Sequence, residues 1–188
     1  MSTAALIPPL APSPHDRFLR VAGFARALIL VGAVLLLLNT VYSWVRPDYA
    51  VATIREETGA PVLGPLIPQT RLAAGAWDLA SIVAPLVALA HLWRVFGEYA
   101  RSRVFSVRAL TGLRSFSRWM LATAVLTPVF RAGMSVIATW QNGHGQRHLI
   151  FRISSDDYMN FLFGIVVLAI SSVMVEAARI AADNEGFV

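Results

Sequence analysis

The stretch Val21–Trp44, VAGFARALILVGAVLLLLNTVYSW, holds a single charged residue, Arg26. As a helix rising about 1.5 Å per residue it reaches roughly 36 Å, enough to cross about 30 Å of hydrocarbon. Arg17 and Arg20 precede it, as basic residues precede the apolar core of a signal peptide. The run nevertheless outlasts the roughly 7–15 residues of such a core, and the segment 39–46 offers no small-x-small cleavage site. We read it as an uncleaved membrane anchor.

Three further apolar runs follow, over about 72–93, 119–140 and 159–178. The whole chain of 188 residues is 56% hydrophobic and only 14% charged, with a mean hydropathy of +0.61. Soluble domains average about 25% charged residues, so there are too few charges here to coat a soluble surface. That excludes an ordinary soluble enzyme, a disordered tail and a free nucleic-acid-binding domain. The net charge of +5 and pI near 10.7 then belong to a membrane face rather than to DNA. With no cysteine, there is no disulfide framework, thiolate metal site or cysteine nucleophile. The expected fold is all-α: four transmembrane helices in a bundle within a domain over 21–180, with short tails at 1–20 and 181–188. Pro8, Pro9, Pro12 and Pro14 predict that the first tail is flexible.

Orientation follows from the arginines. If both termini are cytoplasmic, the inner segments hold nine arginines and the outer segments five. The excess sits in the loop after the second span: Arg94, Arg101, Arg103, Arg108, Arg114 and Arg118 against Glu98 alone. Short loops obey the positive-inside rule best, so both termini are expected in the cytoplasm of a bacterial inner membrane. In that basic loop Val104, Val107, Leu110, Leu113 and Phe116 recur every third residue, with Ser106 placed as a cap. The spacing predicts an interfacial helix, its stripe in the acyl boundary and its arginines at anionic headgroups. Direct nucleic-acid binding is not expected, since the adjacent bilayer competes for the same arginines. The first outer loop, 45–71, reads as a folded-back connection with one short helix ending at Gly59.

Ionisable groups inside the spans are the candidates for chemistry, because each is costly in hydrocarbon and needs a partner. Asp78 lies about 9 Å below the outer boundary of the second span and Arg131 about 13 Å below it in the third. Their similar depth predicts an Asp78–Arg131 ion pair, either a packing device or part of a ligand or proton site. Asn39 and Asn160, near the outer ends of the first and fourth spans, add polarity to the same half of the membrane, either as hydrogen bonds to neighbouring helices or as the mark of a cavity open outward. Near the inner face Arg26 and Glu176 also match in depth. Pro85 and Pro128 are expected to kink their helices. Ser154-Ser155-Asp156-Asp157 reads as a helix start, a serine cap followed by acids in the first turn. His144 and His148 are four apart but flanked by Gly143 and Gly145, and no third ligand is near, so no metal site and no cofactor is expected. There is no GxSxG, HExxH or phosphate loop, and an enzyme is not expected.

Two stretches resemble a known family. The first is Glu98-Tyr99, then Val104-Phe105-Ser106-Val107-Arg108-Ala109-Leu110 and Leu113-Arg114. The second runs from Ile153-Ser154 through Asp157, Phe163-Gly164, Val173-Met174 and Glu176-Ala177-Ala178-Arg179 to Asn184-Glu185 and Phe187-Val188. Together they are similar to the bacterial membrane family catalogued as domain of unknown function 2975, over roughly residues 70–188. One departure is Arg101-Ser102-Arg103, where the family would place a glycine before the Phe-Ser pair. The resemblance implies four membrane helices and no established activity or cofactor. It also implies frequent gene neighbourhood with a small helix-turn-helix regulator. The expected function is thus a non-enzymatic regulatory or sensing membrane protein, partnered by a cytosolic protein and by lipid, with homo-oligomers open. The alternative is a subunit of a small oligomeric transporter or channel using the outer polar residues.

Overall fold

The computed structural model describes residues 14–143 and 145–185. Residues 1–13 of the expected flexible tail, His144 and residues 186–188 lie outside the described residues. Six helical segments follow one another: α1 (Pro14–Val45), α2 (Pro47–Thr58), α3 (Pro68–Ser81), α4 (Val83–Tyr99), α5 (Val107–Thr139) and α6 (Ser155–Glu185). No strand occurs among the described residues. The expected tail is corrected over 14–20, which form the start of α1. Proline in a first helical turn costs no hydrogen bond, because that turn's N–H groups have no partner in any case.

Four stretches are long and apolar enough to cross a membrane: Leu19–Val45, Pro68–Tyr99, Val107–Thr139 and Ser155–Ile180. Their surfaces are inverted relative to a soluble protein. On α1 the large residues Phe24, Leu28, Leu35 and Leu38 are exposed, while Ala22, Ile29, Thr40 and Ser43 are buried. Small and weakly polar residues line the helix contacts and large apolar ones face outward, as expected where lipid is the solvent.

The second span is two helices. Pro85 has no N–H to give to the Ser81 carbonyl, and the chain breaks at Ile82 between α3 and α4. α5, by contrast, runs through Pro128 without a break. The separate interfacial helix predicted between spans two and three is also corrected. Ser106 does cap a helix, its side chain accepting from the Ala109 N–H at 3.1 Å, but that helix is α5 itself. At 3.6 residues per turn a three-residue spacing drifts by about 60° per step. The stripe therefore spirals, burying Leu110 and Phe116 and leaving Val107 exposed. Nothing between Phe116 and Trp119 stops the helix. α5's 33 residues reach about 50 Å, more than the roughly 30 Å of a hydrocarbon core, and residues 100–106 close α4 and α5 into a hairpin.

The four spans stand in an open row rather than a closed bundle. α4 and α5 pack along one another, α6 packs on α5, α1 packs on α4, and α1 and α6 are not neighbours. At the far end from the hairpin, α2 and residues 60–67 fold back over α3 and α5, as expected. Gly59 ends α2 with φ +71°, a left-handed cap that favours glycine. The Asn142 amide donates to the Pro61 carbonyl at 2.6 Å and accepts from the Leu63 N–H at 3.1 Å. Gln141 does the same with Pro65 and Ile67. Val62, Ile54, Ala74 and Met134 form the core beneath this cap, with Trp44 and Trp77 packed against it.

Candidate functional site

Just inside the α2 cap lies a cavity of about 460 Å³, lined from α1, α2, α3, the start of α4, α5 and the first turn of α6. α3 presents Trp77 and Asp78, α1 presents Asn39 and Trp44, α5 presents Phe130 and Arg131, and α2 presents Glu57. Three of the predicted residues, Asn39, Asp78 and Arg131, thus do line one cavity. Asn160 does not; it sits exposed on α6. Because α1 and α6 do not meet, the row leaves the cavity unclosed on that side.

The predicted Asp78–Arg131 ion pair is corrected. Both terminal guanidinium nitrogens of Arg131 donate to Asp157, Nη1 at 2.6 Å to Oδ2 and Nη2 at 2.9 Å to Oδ1. Asp78 Oδ2 instead accepts from the Trp44 indole N–H at 2.8 Å. The reason is the path of the chain between α5 and α6. Residues 148–152 descend alongside α5 in extended form. The His148 N–H donates to Thr139 Oγ1, the Ile150 N–H to Ser135 Oγ, and the Arg152 carbonyl accepts from Arg131. Two extended residues advance about 6.6 Å and four helical ones about 6.0 Å, so alternate residues of the strip meet every fourth residue of the helix. This descent starts α6 below the end of α5 and delivers Asp157 to the depth of Arg131.

Asp157 also caps its own helix. The Asp157 N–H donates to Ser154 Oγ at 3.2 Å, and the Ser154 N–H donates to Asp157 Oδ2 at 2.8 Å. This reciprocal box agrees with the helix start read at Ser154. Ser-x-x-Asp was the signal that could have located the partner of Arg131. Trp44, Trp77 and Glu57 went unremarked as site residues because they lie in stretches read as anchor, span and loop. Trp77 is held by its indole N–H, which donates to the Phe130 carbonyl at 2.9 Å. Arg71 on α3 donates to the Trp44 carbonyl and so ties the start of α3 to the end of α1. Glu57 keeps accessible surface, but that surface borders the cavity; desolvation first, and then the Asp78 carboxylate, raise its carboxyl above the ordinary glutamate range.

At the hairpin end the arginines act separately. Arg94 and Arg108 flank a shallow depression of about 340 Å³ with His91 and Glu98. Arg101 pairs with Glu98 at 3.4 Å, and Arg103, Arg114 and Arg118 are exposed. The matched depth of Arg26 and Glu176 does not bring them together. Arg26 lies over the Trp93 ring, 4.3 Å from its centroid, and Glu176 pairs with Arg179 at 2.7 Å. No group of three metal-ligating side chains occurs among the described residues.

Fold and cavity together define an all-α, multi-pass membrane protein with a polar, aromatic-walled cleft at one end of a helix row. The chain belongs to the family described as Protein of unknown function (DUF2975), whose sequence profile matches residues 60–187. The match takes in α3 to α6 and leaves α1 and α2, which bring Trp44 and Glu57 to the cavity, outside it. No curated protein and no solved structure matches the chain.

Proposed function

We propose that the protein is a non-enzymatic sensor of a bacterial cytoplasmic membrane, with both termini and the α4–α5 hairpin in the cytoplasm and the cavity open to the outside. The observation that carries this reading is the cavity itself. It is polar at membrane depth, where polar side chains are costly without a function. It is also walled by α3 and α5, and the α4–α5 hairpin continues the same spans to the other face. The excess of arginines at the hairpin supports the orientation. In this reading occupancy of the cavity shifts α3 against α5, with the Ile82 break as the hinge, and the hairpin presents the change to a cytosolic regulatory protein and to anionic lipid.

Because the chain lacks cysteine, single introduced thiols give a clean test. In spheroplasts, Thr127→Cys in the cavity should react with a membrane-impermeant maleimide, and Arg103→Cys at the hairpin only after permeabilisation. Filling the cavity with Thr127→Trp should then change the labelling rate at Arg103→Cys in permeabilised cells. An unchanged rate would sink the sensor reading.

The open row favours one second reading, a transporter or channel subunit whose cavity a second copy completes. Ion or solute flux in liposomes that disappears in Asp78→Asn would select it.

A further inference from the structure

The charges around the cavity do not balance. Arg131 is the cation of the lining, and Asp157 takes up both of its terminal nitrogens. Glu57, Asp78 and Asp156 remain on the wall without a basic partner among the described residues. Asp78 receives one protein donor, the Trp44 indole at Oδ2; Oδ1 has none among the described residues. The rest of the wall is mixed: Trp44, Trp77, Phe130, Leu36 and Ile82 supply apolar surface, and the hydroxyls of Ser43, Ser81, Thr123 and Thr127 among them are spent on carbonyls of their own helices. A carboxylate beside aromatic surface favours a positive, weakly hydrated group, which gains from both the charge and the ring faces.

Three classes of ligand can be separated on these grounds. An anion is repelled by the uncompensated carboxylates. A small metal ion needs several ligands converging at about 2–2.6 Å, and no such convergent group is found among the described residues. An organic cation needs only one carboxylate for its charge and an apolar wall for its body, and a space of about 460 Å³ lies within the ordinary range of small-molecule sites, about 300–1,000 Å³. The unclosed side between α1 and α6 borders the lipid-facing surfaces of both helices, so an apolar body has a path from the bilayer.

We infer that the cavity binds a lipophilic organic cation, its charge at Asp78 and its apolar body against Trp44, Trp77 and Phe130. This rests on the reading of the cavity as a ligand site and names its ligand class. The upward shift of the Glu57 carboxyl, caused first by desolvation and then by the Asp78 charge, agrees with crowded negative charge at the wall, and a bound cation would offset the second of these.

The test uses the purified full-length chain in a neutral detergent, with tetraphenylphosphonium as probe and tetraphenylborate, of the same shape and opposite charge, as control. Equilibrium dialysis should show saturable binding of the phosphonium and only unsaturable detergent partition of the borate. Asp78→Asn should weaken the phosphonium by about tenfold or more, the size expected for losing one partly desolvated charge–charge contact. Thr127→Trp, which fills the cavity and leaves its charges in place, should abolish saturation, so a folding defect in Asp78→Asn does not decide the matter. Unsaturable phosphonium binding, equal binding of the borate, or wild-type affinity in both variants overturns the inference. If Thr127→Cys labels from outside while the phosphonium fails to saturate, the ligand class alone is wrong; if it does not label, the outward-open site is wrong as well.

Discussion

Arg131 and Asp78 face the same cavity from α5 and α3, yet the guanidinium binds Asp157. Asp157 is almost fully buried, accepts from both terminal nitrogens of Arg131 and closes the cap of α6. Removing one member of such a pair strands the other, which typically costs about 3–5 kcal/mol. Asp157→Asn should therefore lower the thermal midpoint of the detergent-solubilised protein far more than Asp78→Asn, which keeps an oxygen able to accept from the Trp44 indole and at most weakens one hydrogen bond worth about 1 kcal/mol. The double exchange Arg131→Asp with Asp157→Arg should recover part of the loss, the remainder being the sacrificed cap. Equal destabilisation by Asp78→Asn and Asp157→Asn would contradict this assignment. The charges at 78 and 131 and their depth were readable in advance. Their partners were not, because pairing by depth assumed that each loop returns the chain to the boundary it left. Residues 148–152 do not return it there.

Elements approach one another where one of them lacks a side chain. At Gly133 of α5 a Cβ would stand 2.4 Å from the Trp77 ring, and at Gly164 of α6 it would stand 2.9 Å from Leu121. Gly133→Ala thus pushes Trp77 off the wall of the cavity or α3 off α5, and overpacking of this kind costs about 1–3 kcal/mol. Gly97→Ala on α4 meets nothing within 4 Å and should be neutral or slightly stabilising, since alanine is the better helix former by about 1 kcal/mol. Thermal unfolding followed by circular dichroism compares the two; a Gly133→Ala protein as stable as Gly97→Ala would remove the close approach as a determinant of the fold. Pro85 signalled a kink in the second span, where α3 and α4 in fact separate, while the same signal at Pro128 leaves α5 continuous. The length of α5 was not legible, because the basic composition after the second span suggested a connector on the membrane, while a capped helix with no stop signal simply continues.

At the scale of the molecule, the arginines of the hairpin region and the orientation belong together. A C-terminal alkaline phosphatase fusion should be inactive, since that reporter works only outside the cytoplasm. Replacing Arg101, Arg103, Arg108, Arg114 and Arg118 with glutamine leaves four inner arginines against five outer ones and so reverses the bias. The same fusion should then gain activity as part of the population inserts the other way. A fusion active without any replacement would reverse the proposed topology, and with it the outward cavity.

Hydropathy alone determined that this chain is helical and multi-pass, since only stretches of about 20 apolar residues satisfy both the backbone and the lipid. Local signals likewise placed the cap at Ser106, the turn at Gly59, a distortion at Pro85 and the start at Ser154. These depend on neighbours within a few residues, which a sequence displays directly. What only the tertiary structure decided is the open order of the row, the descent of residues 148–152 along α5, and hence which carboxylate Arg131 meets. Those depend on contacts between residues far apart in the chain, made through backbone groups that every residue carries alike. The cavity combines both kinds of information. Asp78, Arg131 and Asn39 could be named from hydropathy, while the indole of Trp44 and the carboxylate of Glu57 joined them, and Asp157 met Arg131, only through the fold.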